Sequence, residues 1–367
     1  MLPIGVSVLA LVTGLTKDTP PKEASDDGSA ADDGQAAGSS GADDAPSSAP
    51  SKLLQTNFGT ALMLGIAYAA SVGSLATIIG TPPNTLLVGY LKDNFDISIG
   101  FGQWMMAGLP LAAVFLFITW FLLTHVLFKP EIDQIPGGRA LIRSELAKLG
   151  PLSKGEIRVG IMFALAALAW VSVPLIWAKP PITDAGIAMT VGVLLFVLPG
   201  GAARGVRLLD WKSALELPWG VLLLFGGGLA LSAQFSSSGL TKWIGTQTEA
   251  LGNVPVWLMV VVVTTGVIFL TELTSNTATA ATFLPVAGGV AMGIGADPML
   301  LAIPVALAAT CAFMLPVATP PNAVAYGSGY VTIASMIKGG FWLNLIGIVL
   351  VTATTFTLMT WALGIRV

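Results

Sequence analysis

A chain of 367 residues that is 54% hydrophobic and 10% charged, with a mean hydropathy of +0.81, lies far outside the range of soluble domains and reads as an all-α polytopic membrane protein. One cysteine, Cys311, excludes an intrachain disulfide and a multi-cysteine metal site, and one histidine, His125, excludes a histidine cluster, so both read as packing or interface residues. The net charge of −3 says little about partners, because the acids gather in one tract, and nothing points to nucleic acid.

In chain order, Met1 to Leu15 is apolar but shorter than the roughly 20 residues that cross a bilayer, and it has neither the basic start nor the cleavage site of a signal peptide. Residues 1–16 read as the remnant of a first re-entrant hairpin arm. Residues 17–52, rich in Ser, Gly, Ala, Asp and Pro, are expected to be a disordered acidic linker without a site. Apolar spans follow at Leu53 to Ile79, Leu86 to Tyr90, Met105 to Phe128, Val159 to Trp177, Ile187 to Leu198 and Leu217 to Gln234. Four more lie at Val254 to Leu273, Ala278 to Gly293, Leu300 to Val317 and Phe341 to Leu363. Leu240 to Leu251 is short and mixed and is expected to lie along the membrane interface. Trp104, Trp120, Trp177, Trp219, Trp243, Trp257, Trp342 and Trp361 mostly fall near span ends, as an aromatic belt does.

The basic residues set the expected orientation. Lys129, Arg139, Arg143, Lys148, Lys154 and Arg158 crowd one loop and Arg204, Arg207 and Lys212 another, which places both in the cytoplasm. Alternation then puts the linker inside and the C-terminus outside, with both ends of 254–293 outside. That geometry requires a re-entrant hairpin whose tip, at Ser275, Asn276 and Thr277, is buried in protein.

That tip lies in FLTELTSNTATAATFLP, from Phe269 to Pro285, where hydroxyls, a carboxylate and an amide interrupt apolar sequence. In hydrocarbon such a run is costly unless it lines a cavity or binds something. A second polar knot, ATPPNA at Ala318 to Ala323, repeats GTPPNT at Gly80 to Thr85 at an offset of 238 residues. MLPI at Met1 likewise matches FLPV at Phe283. Two copies of one helix-breaking signature point to discontinuous helices meeting at a mid-membrane binding site, the sign of a transporter. Residues 53–128 then form the rest of a first repeat, a broken helix plus a span, and 129–158 a cytoplasmic basic loop. Residues 159–367 form the second repeat, with re-entrant hairpin 254–293 and broken helix 300–337. Projecting the SNT tip through the repeat puts its first-half partner just before Met1.

Half-helix N-termini carry unpaired N–H groups and about half a positive charge each. With the hydroxyls of Ser275, Thr277, Thr319 and Thr81 and the Asn276 amide, they can hold a carboxylate without arginine, while the carbonyls that precede the breaks suit Na+. Glu272 is either a proton or sodium ligand, or a residue that caps backbone N–H groups or pairs within the scaffold, and the sequence leaves these readings open.

At these residues the chain resembles the divalent anion/sodium symporter family, carriers of dicarboxylates, citrate and, in some members, sulfate. That family has two Ser-Asn-Thr tips and two broken helices with a (G/A)-(S/T)-P-P-N loop, in inverted repeats. One tip and both TPPN loops stand here, and the resemblance covers everything but the linker. The first tip and the helices before it are absent, and Ser74 occupies a position where glycine is expected. The resemblance implies an inverted-repeat transporter with a re-entrant hairpin and two broken helices, multi-pass in the plasma membrane and a homodimer. It implies substrate contacts at Ser275, Asn276, Thr277, Thr319 and Pro320, with Thr81 as the first-half contact. It further implies one sodium among Thr271, Thr274, Asn276 and the Ala318 carbonyl, and Gly80 at a second sodium. The reading is a sodium-coupled carrier of a small dianion working by alternating access. A carboxylate exchanger, an anion permease of the arsenite-permease type and a non-transporting truncated product stay open beside it, whereas no nucleophile with a base, metal cluster or phosphate loop suggests an enzyme.

Overall fold

The computed structural model describes residues 56–131, 143, 146, 147, 150–177, 180–201, 206–216, 219–248 and 254–365. The arm 1–16, the linker 17–52 and residues 132–142 of the basic loop lie outside the described residues. Among those described, all regular structure is helical, and the one β feature is an isolated bridge between Pro199 and Arg207. Four helices, Asn57–Ala76, Phe101–Leu127, Lys154–Pro174 and Ile333–Leu363, are long and apolar enough to cross a membrane.

The first broken helix starts with α1 (Asn57–Gly73), capped by Thr56, whose hydroxyl accepts from Gly59 N at 3.0 Å. It loosens into two short 3-10 turns, Ser74–Ala76 and Ile78–Gly80, before α2 (Pro82–Phe95) begins on a Pro pair. Proline fits a first helical turn because the amide it lacks has no intrahelical partner there. Next comes α3 (Phe101–Phe121), which runs through a wide π-helical turn to Leu127. The peripheral helices are α4 (Lys154–Ile176), α5 (Asp184–Val197), the short α6 (Trp211–Leu215), α7 (Trp219–Ser237) and α8 (Leu240–Thr248). A four-residue turn joins α9 (Val256–Thr271) to α10 (Asn276–Gly293). Then α11 (Met299–Thr310) and α12 (Pro320–Gly327) form the second broken helix. The long α13 (Ile333–Thr354) closes the order, again passing through a π-helical stretch, Thr355–Met359, and ending at Gly364, whose φ is 68°.

The core sits on α11. Every residue from Met299 to Thr310 is buried, as expected of a helix that is apolar on all sides. It is enclosed by α2, α9, α10 and α13. The second piece of each broken helix packs into the opposite half: α2 lies on α10 and α11, and α12 lies on α1. The two halves are therefore interlocked at the breaks. By contrast, only 6% of the most apolar window of α4 is buried.

Several spans end elsewhere than the sequence suggests. The span expected over Leu300 to Val317 is helical only to Thr310, because Glu272 takes the amides that follow. The last helix starts at Ile333, not Phe341, with Thr332 as its cap. The piece expected at Leu86 to Tyr90 runs over Pro82–Phe95. Trp104 does not belong to an aromatic belt: it is fully buried, and its Nε1 donates to Leu75 O at 3.1 Å. The other seven tryptophans of that set are exposed.

Candidate functional site at the two helix breaks

The turn between α9 and α10 carries Thr271 to Asn276. Thr271 is buried, and its hydroxyl lies 2.8 Å from Asn276 Oδ1 and 2.9 Å from Ala309 O. Thr274 is exposed; its hydroxyl donates to Leu270 O at 3.0 Å and lies 2.6 Å from Thr279 Oγ1. Ser275 is exposed at the cap position of α10 without a side-chain cap bond, Asn276 is half-buried, and Thr277 is buried. Of the residues expected around a sodium, Thr271 and Asn276 are joined by a hydrogen bond beside the last turn of α11, whereas the Thr274 hydroxyl is engaged by Leu270 O and Thr279.

Each TPPN loop is held by its asparagine in the same way. Asn84 Nδ2 donates to Thr77 O at 3.0 Å, and Asn322 Nδ2 donates to Leu315 O at 3.1 Å, in each case seven residues back. Asn322 Nδ2 also reaches Ala312 O at 3.1 Å. Both asparagines are fully buried, and the Oδ1 of each finds no donor among the described residues. A buried amide bonded to the carbonyls of the preceding loop fixes the bend that the Pro pair ends. Thr319, buried, caps α12 by accepting from Asn322 N at 3.3 Å, and Pro320 beside it is exposed. Thr81, buried, makes no cap bond with its side chain; its hydroxyl lies 3.3 Å from Thr310 Oγ1. Gly80 cannot be another residue without movement, since a Cβ there would sit 2.1 Å from Ser74 O.

The C-terminal end of α11 is where these parts meet. Thr271 reaches Ala309, Thr81 reaches Thr310, and Asn322 holds Ala312 and Leu315. Glu272, which the sequence leaves open between ion ligand and cap, is a cap. It is 3% exposed, and its Oε1 accepts from Phe313 N at 2.7 Å and Met314 N at 2.9 Å. Oε2 accepts from Met314 N and Leu315 N, both at 3.1 Å, and Asn344 Nδ2 on α13 donates to Oε1 at 2.7 Å. Three successive amides around one carboxylate form an anion nest filled by the protein itself. On the other face Tyr68 OH donates to Phe313 O at 2.8 Å.

Asn84, Asn322, Asn344 and Thr310 are absent from the sequence-derived site. Only the two loop asparagines had a signal, since each follows the same TPP. Ala318 is buried one residue before Thr319, with its N–H on Leu315 O at 3.3 Å. Electrostatically, α2, α10 and α12 begin at Thr81, Ser275 and Thr319, so each loop carries the positive end of a helix. The carbonyl ends of α9 and α11 provide the negative counterpart. Groups of this kind can hold an anion by hydroxyls and N–H groups and a small cation by carbonyl, hydroxyl and amide oxygens. None of the residues that form the loops and the turn is basic.

Residues 36–364 match the family described as the sodium:sulfate symporter transmembrane region. The chain is 42% identical over 317 residues to the sodium-dependent dicarboxylate transporter SdcS of Staphylococcus saprophyticus subsp. saprophyticus, over 85% of this chain and 61% of the relative. It is 43% identical over 315 residues to the protein of the same name in Staphylococcus aureus strain USA300, over 84% of this chain and 61% of the relative. The chain therefore spans about 61% of the length of these curated relatives.

Proposed function

The chain belongs to the sodium:sulfate symporter family of membrane transporters, and on that premise we propose that it serves sodium-coupled transport of a small dianion, a di- or tricarboxylate such as succinate or citrate, in the plasma membrane. The observation that carries the reading is the meeting of the hairpin turn and both TPPN loops at the end of α11, without a basic side chain among them. Helix N-termini and hydroxyls hold the anion, with Ser275, Asn276, Thr277, Thr319, Pro320 and Thr81 as its contacts. Sodium takes Thr271, Thr274, Asn276 and the Ala318 carbonyl on one side and Gly80 on the other. Sodium is a co-transported ion here, and its binding completes the positive charge that a dianion needs. Alternating access moves the hairpin and the broken helices together, because they share the end of α11. The protein works as a homodimer with the hairpin re-entrant in the bilayer. The relatives named as dicarboxylate transporters favour a carboxylate over sulfate.

Uptake of labelled succinate, citrate and sulfate into vesicles containing the chain, with and without sodium, tests this. Sodium-dependent uptake of a carboxylate is the expected result. Uptake that is indifferent to sodium and needs a counter-carboxylate inside overturns the coupling and indicates exchange. Sodium-dependent uptake of sulfate alone overturns the substrate assignment.

A further inference from the structure

We infer that Glu272 is a positioning residue that links the sodium side of the site to the substrate side, so that the state of the hairpin turn sets the placement of Thr319. The inference rests on the functional reading above and deepens it. Neighbouring residues of one turn hold opposite ends of one bend: Thr271 lies on Ala309 O, and Glu272 holds the amides of Phe313, Met314 and Leu315. The bend is held from its other side by Asn322, which bonds Ala312 O and Leu315 O and whose own N–H rests on Thr319. A continuous chain of bonds then runs from Asn276 through Thr271, Glu272, Leu315 and Asn322 to Thr319. Every step but the covalent one between Thr271 and Glu272 is a hydrogen bond of 3.3 Å or less.

Two further contacts make the carboxylate more than a local cap. Asn344 donates to it from α13, so the final helix registers on the same oxygen that receives Phe313 and Met314. Gly340 of α13 lies so close that a Cβ there would be 2.4 Å from the Phe313 carbonyl carbon. The peptide at 313–314 is thereby held between a helix and a charge, with no slack to absorb a shift of the turn. A bend without slack transmits displacement, the physical requirement for coupling between two sites. In the first half the peptide at the same repeat position, Leu75 and Ala76, is met by Trp104 Nε1 and by Gly108 of α3. The carboxylate therefore distinguishes the second loop from the first among the described residues.

The test is Glu272→Gln, which keeps the shape but turns one acceptor oxygen into a donor facing amides, and Glu272→Asp, which keeps the charge. Both are assayed in the full chain for succinate KM and for the sodium concentration of half-activation. Glu272→Gln is expected to raise both by tenfold or more, the equivalent of about one charged hydrogen bond, with Glu272→Asp recovering part of the loss. Hydrogen exchange of the peptide spanning 311–319 gives a readout free of transport. It is expected to be slow and further slowed by sodium in the native chain, and fast and sodium-insensitive in Glu272→Gln. Should Glu272→Gln fail to accumulate, Asn344→Ala removes one donor to the same oxygen and is expected to shift both quantities in the same direction by a smaller factor. Native sodium responses in Glu272→Gln, or a drop in protein amount with unchanged KM and exchange, overturn the inference. A native chain with no sodium-dependent uptake overturns the functional reading instead, and sodium-insensitive exchange at 311–319 in that chain overturns the inference with it.

Discussion

Gly340→Ala tests the packing at the second break without reference to transport. A Cβ on Gly340 would lie 2.4 Å from the carbon and oxygen of Phe313 and 2.5 Å from Met314 N. Ordinary contact needs about 3.5 Å, so backbone must move by about 1 Å. Neither partner moves freely, because Phe313 O is held by Tyr68 and the two amides by Glu272. Overpacking of this kind costs about 1–3 kcal/mol, and each charged hydrogen bond that gives way adds about 1.5–3 kcal/mol. The expected loss is therefore about 3 kcal/mol or more. Gly347→Ala on the same helix is the matched control: its Cβ would meet Ile268, Phe115 and Cys311 at 3.6–3.7 Å, ordinary contact. Replacing that helical glycine should be neutral or stabilise by up to about 1 kcal/mol. Thermal unfolding of the two variants and the native chain in the same detergent measures the contrast. Melting of Gly340→Ala within about two degrees of Gly347→Ala would falsify the tight contact at Phe313.

Asn276→Ala should abolish sodium-driven uptake while leaving the melting midpoint close to native, since Asn276 is half-buried and Thr271, which loses its bond to Asn276 Oδ1, keeps Ala309 O as a partner; undiminished uptake removes it from the site. Glu131 accepts from Asn57 N at 2.7 Å and Phe58 N at 3.0 Å at the start of α1. Partial burial pushes its carboxyl up, but those amides outweigh the effect and hold it below the usual range. A folded value that is lowered stabilises the protein above the unfolded value, and the benefit fades as pH falls through the folded one. The native chain should accordingly melt above Glu131→Gln at about pH 7, with the gap closing as the pH falls below the usual carboxylate range; a gap that stays constant with pH contradicts this.

The parts of the site that were legible in the sequence are those written as repeats. TPPN at two places announced two breaks, because a Pro pair favours the first turn of a helix, and the structure starts α2 and α12 there. The SNT turn was legible as polar residues inside an apolar run. What stayed hidden was the partner of each polar group. Glu272 was compatible with binding an ion or capping amides, and the choice depends on Phe313 to Leu315 folding back over it from 41 to 43 residues away. Asn344 lies on α13 in an otherwise ordinary apolar helix, and nothing local marks it as a donor. Helix ends were misplaced where such distant bonds compete with the helix ladder: apolar character continues to Val317, but the ladder stops at Thr310. Trp104 misled for a related reason, since a tryptophan at a helix start looks the same whether its N–H meets headgroups or Leu75 O.

Cys311 follows the last residue of α11 and is fully buried, and the chain has no other cysteine. To a water-soluble thiol reagent the resting protein therefore behaves as if it had none. A single cysteine placed on any exposed helix would report on its own surroundings without first removing the native one. Modification of Cys311 itself would have a narrower meaning: it would record that the junction between α11 and the following bend had parted, so the time course of its labelling is a clock for that opening.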